Sequence, residues 1–103
     1  MRQFDLFRNP DPVSARRRPF VVVLQSDLMK VIETVVVAPL APSSRIKLVP
    51  RLTPVIDIAG VDHAILVHDL AAIARSQLKR PRGTAASKRD ELLAALDLVF
   101  LGF

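Results

Sequence analysis

Two β-branched runs constrain this chain most: Phe20-Val21-Val22-Val23-Leu24 and Val35-Val36-Val37. Apolar runs of this length with no polar alternation mark strands covered on both faces. The fold must therefore place material on both sides of one sheet. Gln25-Ser26-Asp27 ends the first run. Ala38-Pro39-Leu40-Ala41-Pro42 is expected to stop or bulge the second, because proline lacks the amide donor that a central ladder needs.

Weaker strand signals flank these runs. Phe4-Asp5-Leu6-Phe7 reads as a short first strand closed by the turn cluster Asn9-Pro10-Asp11-Pro12, with a loop continuing through Arg16-Arg17-Arg18 to Pro19. Leu28 to Ile32 suits either a helical turn or a wide connection, and Ser43 to Pro50 is a polar, basic connection. Leu52 to Ile58 alternates, with Val55 and Asp57 on one face and Pro54, Ile56 and Ile58 on the other. Ala59-Gly60-Val61-Asp62 is a turn signal, and Ala64-Ile65-Leu66-Val67 follows at hairpin distance. Asp69 to Ala74 fits helix or strand, and Ser76 to Ala86 reads as an exposed loop or weak edge.

Only the end of the chain has helical periodicity. Ser87 with Asp90 three residues on resembles a capping box, and a helix from about Lys88 to Leu101 is expected to follow. Leu92, Ala95, Leu96, Val99 and Phe103 would form one apolar stripe, with Leu93 and Phe100 beside it and Asp97 and Leu101 to the side. A terminal carboxylate on Phe103 resists burial, so the apolar end is read as a docking element at the rim of a contact.

Five to seven strands and one C-terminal helix within 103 residues describe a single α+β domain, residues 1–103, with a small barrel-like or strongly bent antiparallel sheet. The hydrophobic fraction of 50% exceeds what a small monomer needs, so a partner is expected to cover some of it. With 15 Lys+Arg against 10 Asp+Glu the net charge is +5, concentrated at Arg16–Arg18 and Lys79-Arg80-Pro81-Arg82. There is no cysteine, hence no disulfide framework and no cysteine nucleophile, and a cytoplasmic setting is expected. No apolar run approaches the roughly 20 residues of a membrane span, and no signal peptide is evident.

Catalytic and cofactor motifs are sparse. His63 and His68 are five apart, which suits neither a strand pair nor an i, i+4 helical pair of metal ligands. Ser26-Asp27 lacks a nucleophile elbow and reads as a turn bonded to its own backbone. Gly60, Gly83 and Gly102 are too scattered to cradle a phosphate. No aromatic residue interleaves with the basic clusters, so stacking on single-stranded nucleic acid is not expected, nor is sequence-specific nucleic-acid binding. A binding protein without cofactor, rather than an enzyme, is the expectation.

Gln3-Phe4-Asp5-Leu6-Phe7-Arg8-Asn9, Phe20 to Leu28 with its Gln25-Ser26-Asp27-Leu28, Val35-Val36-Val37-Ala38-Pro39-Leu40, Leu52-Thr53-Pro54-Val55-Ile56-Asp57-Ile58 and Leu98-Val99-Phe100-Leu101-Gly102-Phe103 together resemble the CcdB toxins. The five segments match in order along essentially the whole chain. The resemblance implies an SH3-like barrel shared with the MazF ribonuclease toxins and a homodimer. It also implies binding to gyrase A, the DNA gyrase component that is trapped with cleaved DNA, and removal by a CcdA-like antitoxin whose disordered tail folds on the toxin. It assigns the gyrase contact to Leu101, Gly102 and Phe103, with Asp97 and Phe100 on the last helical turn and Leu28 and Met29 after the Gln-Ser-Asp turn. Where the best-known members carry tryptophan this chain has Leu101, which fills a pocket but cannot stack on a guanidinium. Two other readings share the fold: an RNA-cleaving toxin using the basic loops and histidines, and a non-toxic member that keeps dimerisation and antitoxin binding.

Overall fold

The two valine runs lie side by side at the middle of the sheet. The structure, a computed structural model, describes residues 1–29 and 31–103. Strand β1 (Leu6–Arg8) pairs antiparallel with β2 (Phe20–Val23), and β2 pairs with β3 (Thr34–Pro42), Val22 opposite Ala38. Alternate side chains of each strand enter different cores. Leu6, Val22, Leu24, Ala38 and Leu40 face one, and Phe7, Val21, Val23, Val35 and Val37 face the other. Both faces of the central strands are covered, as unbroken β-branched runs require.

β3 does not stop at Pro39. It continues to Pro42 and forks. Its first half pairs with β6 (Ala71–Ala74), Val35 opposite Ile73, and its second half pairs with β5 (Val61–Ile65), Leu40 opposite Ile65. The fork admits Pro39, and the end of the β2 ladder admits Pro42. The Pro39 carbonyl accepts from Leu66 N–H at 2.8 Å, just past the end of β5, so the side lacking a donor faces the gap between β5 and β6. Pro42 lies beyond the last residue paired with β2, which is Leu40. Neither missing donor interrupts a ladder between named strands.

β4 (Val55–Ile58) completes the sheet in the order β1-β2-β3-β5-β4, with β6 on the other half of β3. The predicted hairpin is β4–β5, with Ile56 buried and Asp57 exposed as the alternation requires. Its turn is tighter than expected. Ala59 (φ 53°) and Gly60 (φ 85°) make it alone, Asp57 Oδ1 accepts from Gly60 N–H at 2.8 Å, and Val61 and Asp62 already belong to β5. Strand β4 starts at Val55 rather than Leu52, and Val67, expected in a strand, opens a 3₁₀ turn, Val67–Asp69. The ambiguous Asp69–Ala74 segment becomes β6 from Ala71 on, and the Leu28–Ile32 region begins with the 3₁₀ turn Asp27–Met29. Lys30 lies outside the described residues.

The six-stranded antiparallel sheet curls into a half-barrel. One helix, α1 (Arg89–Leu101), packs Leu92 and Ala95 against the core of Leu6, Val22, Leu40, Ile65 and Val67. The capping box is not made. Ser87 sits inside a 3₁₀ turn, Ala86–Lys88, just before which the Thr84 hydroxyl accepts from Ala86 N–H at 3.0 Å, and neither this turn nor α1 has a side-chain cap. Asp90 and Glu91 in the first turn still meet the positive end of the helix. The expected apolar stripe is also shortened. Leu92 and Ala95 are fully buried and Leu93 and Leu96 partly so, but Val99 and Phe103 are exposed. The sheet underlies only the first half of α1.

Among the described residues no helix is long and apolar enough to cross a membrane.

Candidate functional site at the end of the helix

Past Leu96 the helix loses most of its cover: Leu98 is still half-buried, but the apolar residues after it are exposed. Phe100 is 67%, Leu101 61% and Phe103 77% exposed, and Asp97 is exposed beside them. Gly102 fixes where this patch turns. Its N–H still bonds the Leu98 carbonyl at 3.1 Å while its φ of 80° is left-handed, which ends the helix and redirects the chain. A Cβ at Gly102 would meet nothing within 4 Å, so the glycine is required by backbone conformation and not by space. Phe103, expected to continue the apolar stripe of the helix, lies beyond the last helical residue and is exposed.

Leu28 and Met29 belong to a separate patch. The Asp27–Met29 turn is tied to the start of α1: Gln3 N–H donates to Asp27 Oδ1 at 2.7 Å, and Arg89 Nη1 donates to Gln3 Oε1 at 3.4 Å. α1 has 13 residues and is about 20 Å long, so these contacts hold the turn toward the opposite end from Leu101. Leu28 is 90% exposed, and Val31 and Ile32 extend its apolar surface. Arg75, which no sequence pattern singled out, clamps this turn. Its Nε donates to the Ile32 carbonyl at 3.0 Å and its Nη2 to the Met29 carbonyl at 3.2 Å. A contact across more than 40 positions leaves no local signal.

The histidines part company. His63 is buried, its ring edge-on to Phe20 at 5.4 Å between centroids and its Nδ1 2.8 Å from the Val61 carbonyl, which leaves it a packing role. His68 is half-exposed beside Asp69, whose other oxygen holds Arg18 Nη2 at 2.8 Å. Among the described residues no three His, Cys, Asp or Glu side chains group as a metal site requires. Asp11 in the β1–β2 loop titrates below the usual carboxylate range, held there first by a hydrogen bond from the Ser14 side chain and then by Val13 N–H. Ser14 Oγ in turn accepts from Asn9 Nδ2 at 3.0 Å, which sets the loop's shape.

The curled antiparallel half-barrel closed by one C-terminal helix is a fold that this chain shares with solved toxin structures. It is similar to an endoribonuclease solved with its cognate antitoxin from a mycobacterial species, at a TM-score of 0.78 and 8% identity over 100% of this chain and 96% of that one. It is also similar to the Mycobacterium tuberculosis toxin MazF-mt6, at 0.72 and 17% identity over 96% of each chain. At these identities the likeness shows the fold. No curated protein sequence matches significantly. Residues 3–102 match the family model of the CcdB protein, and the chain belongs to the CcdB family.

Proposed function

We propose that this chain is the toxin of a type II toxin–antitoxin pair, acting in the cytoplasm as a homodimer. It binds the gyrase A component of DNA gyrase through the tip Leu101-Gly102-Phe103, flanked by Asp97 and Phe100, and holds the enzyme on cleaved DNA. A CcdA-like antitoxin removes it. The observation that carries the reading is the apolar tip of a CcdB-family chain, held clear of its own core by left-handed Gly102. Leu28 and Met29, toward the far end of α1, form a second contact surface, reached from a different side of the partner.

The test is inhibition of supercoiling and gyrase-dependent DNA cleavage by the purified protein. Leu101→Trp restores a ring able to stack on a guanidinium, worth about 0.5–2 kcal/mol, which is roughly two- to thirtyfold in affinity. If neither the wild type nor Leu101→Trp inhibits gyrase at large molar excess, the gyrase reading fails. Activity gained only in Leu101→Trp identifies a member that keeps the fold but has lost toxicity at that side chain.

A second reading is supported by the Arg18–Asp69–His68 cluster and by the endoribonuclease that shares the fold. An imidazole 3.8 Å from a carboxylate that is itself hydrogen-bonded to a guanidinium offers a base and a cation side by side, the pair needed to take a proton from a ribose 2′-hydroxyl and stabilise the charge that follows. Single-stranded RNA left intact, or cut equally by His68→Ala and Arg18→Ala variants, removes this reading.

A further inference from the structure

The Lys79-Arg80-Pro81-Arg82 segment is a charge cluster that neither reading uses. Its placement follows from two buried anchors. Phe7 on β1 and Leu78 after the Arg75–Gln77 turn pack into the same core, so their neighbours Arg8 and Lys79 point outward. Arg82 N–H donates to the Leu6 carbonyl at 2.6 Å and Leu6 N–H donates to the Gly83 carbonyl at 2.9 Å, which pins the segment along β1. Gly83 (φ 124°) supplies the left-handed step that this edge pairing needs.

The result is a groove of about 410 Å³ walled by Arg8, Lys79, Arg80 and Arg82. No acidic side chain lines it among the described residues. None of these four cations takes part in the ion pairs Arg18–Asp69, His68–Asp69 and Lys88–Glu91. A second basic groove, with Arg17, Arg18 and Arg45, differs, since Asp69 partly neutralises it.

We infer that this groove binds the phosphodiester backbone of duplex DNA without reading its sequence. Forked guanidiniums around a concave surface match phosphate oxygens. An acidic peptide that folds on binding would also need apolar anchors, and none of the exposed large hydrophobic residues lines this groove. Single strands would need a ring to stack on, and Phe7, the aromatic in the wall, is only 2% exposed. Duplex phosphates need neither. The inference stands independently of the gyrase reading, because the contact requires no third component.

Fluorescence anisotropy of a labelled random-sequence duplex, titrated with the full chain without gyrase, tests it. Binding is expected in the range of about 10⁻⁴–10⁻⁶ M typical of non-specific contacts, with a log–log salt slope of roughly −3 to −4 for phosphates matched to these cations. Arg80→Ala/Arg82→Ala, both at exposed positions, is expected to weaken binding at least about tenfold and to flatten the slope by about 2. Arg17→Ala/Arg45→Ala removes equal charge elsewhere and is expected to do less. Should Arg82→Ala disturb the pinned segment, as circular dichroism would reveal, Arg8→Ala/Lys79→Ala carries the same expectation. The inference is overturned by absence of binding at low salt, or by equal losses in the two arginine pairs. Tighter binding of single-stranded RNA than of duplex, or displacement by polyglutamate at equal charge, overturns it as well.

Discussion

Truncating two leucines of the same helix separates its structural half from its exposed half. Leu92 is fully buried among Leu6, Val22, Leu40 and Ile65, and Leu101 is 61% exposed. Leu92→Ala removes a side chain that the surrounding sheet cannot collapse to replace, at a cost of about 2–5 kcal/mol. Leu101→Ala gives up at most the two-fifths of its surface that is covered, which is about 1 kcal/mol or less of a side chain worth roughly 1.5–3 kcal/mol when fully buried. Urea unfolding followed by circular dichroism at high dilution should show a large fall in midpoint for Leu92→Ala and little change for Leu101→Ala, with m unchanged in both. Repeating the titration at high protein concentration adds a second reading. If a second copy covers the tip, the cost of Leu101→Ala grows with concentration, because association stabilises only the folded state. Equal losses at high dilution would refute the division of α1 into a buried half and a free half.

Three further outcomes are expected. Gly102→Ala forces a left-handed φ on a side-chain-bearing residue at a cost of about 1–2 kcal/mol; the helix end should fray or redirect, seen as altered chemical shifts confined to residues 98–103 with the sheet unchanged. An NMR titration should find Asp11 protonating below the usual carboxylate range and returning toward it in Ser14→Ala. Because the folded pKa is the depressed one, this group favours the folded state above its unfolded pKa and loses that contribution as pH falls through the folded value. Arg75→Ala removes the clamp on the Met29 and Ile32 carbonyls, and hydrogen exchange should quicken in the connection before β3, at residues 27–33, while β3 stays protected.

The parts of this fold legible from sequence were those decided by local pattern. Val21–Val23 and Val35–Val37 had to be covered on both faces, and the β4–β5 hairpin announced itself through alternation around Ala59-Gly60. What sequence misjudged was decided by distant partners. Pro39 is tolerated because β5 and β6 share β3 and leave a gap where its donor is missing, and Pro42 because it lies past the end of the β2 ladder. Ser87 does not cap α1 because the 84–85 segment is held against residues 4–5 by the Asp5–Thr84 bridge and the Ala85 N–H bond to the Phe4 carbonyl, which sets a 3₁₀ turn over Ala86–Lys88 before the helix starts. For the site, helical spacing placed Leu92 to Phe103 on one stripe but could not say where the sheet beneath it stops. The Arg18–Asp69 pair and the Arg75 clamp join residues 51 and 43 positions apart, beyond any periodicity.

The fork in β3 also imposes an order of events on a newly made chain. The β2–β3 ladder closes the short connection of residues 24–33, whereas β6 reaches β3 only after residues 43–70 have been looped out. That connection is nearly three times longer, which adds about 0.9 kcal/mol of closure entropy before any contact compensates. β3 therefore meets β2 early and receives β6 late. A chain caught between the two steps exposes Val35 and Val37 on an open strand edge, and this is the species most at risk of pairing with another molecule.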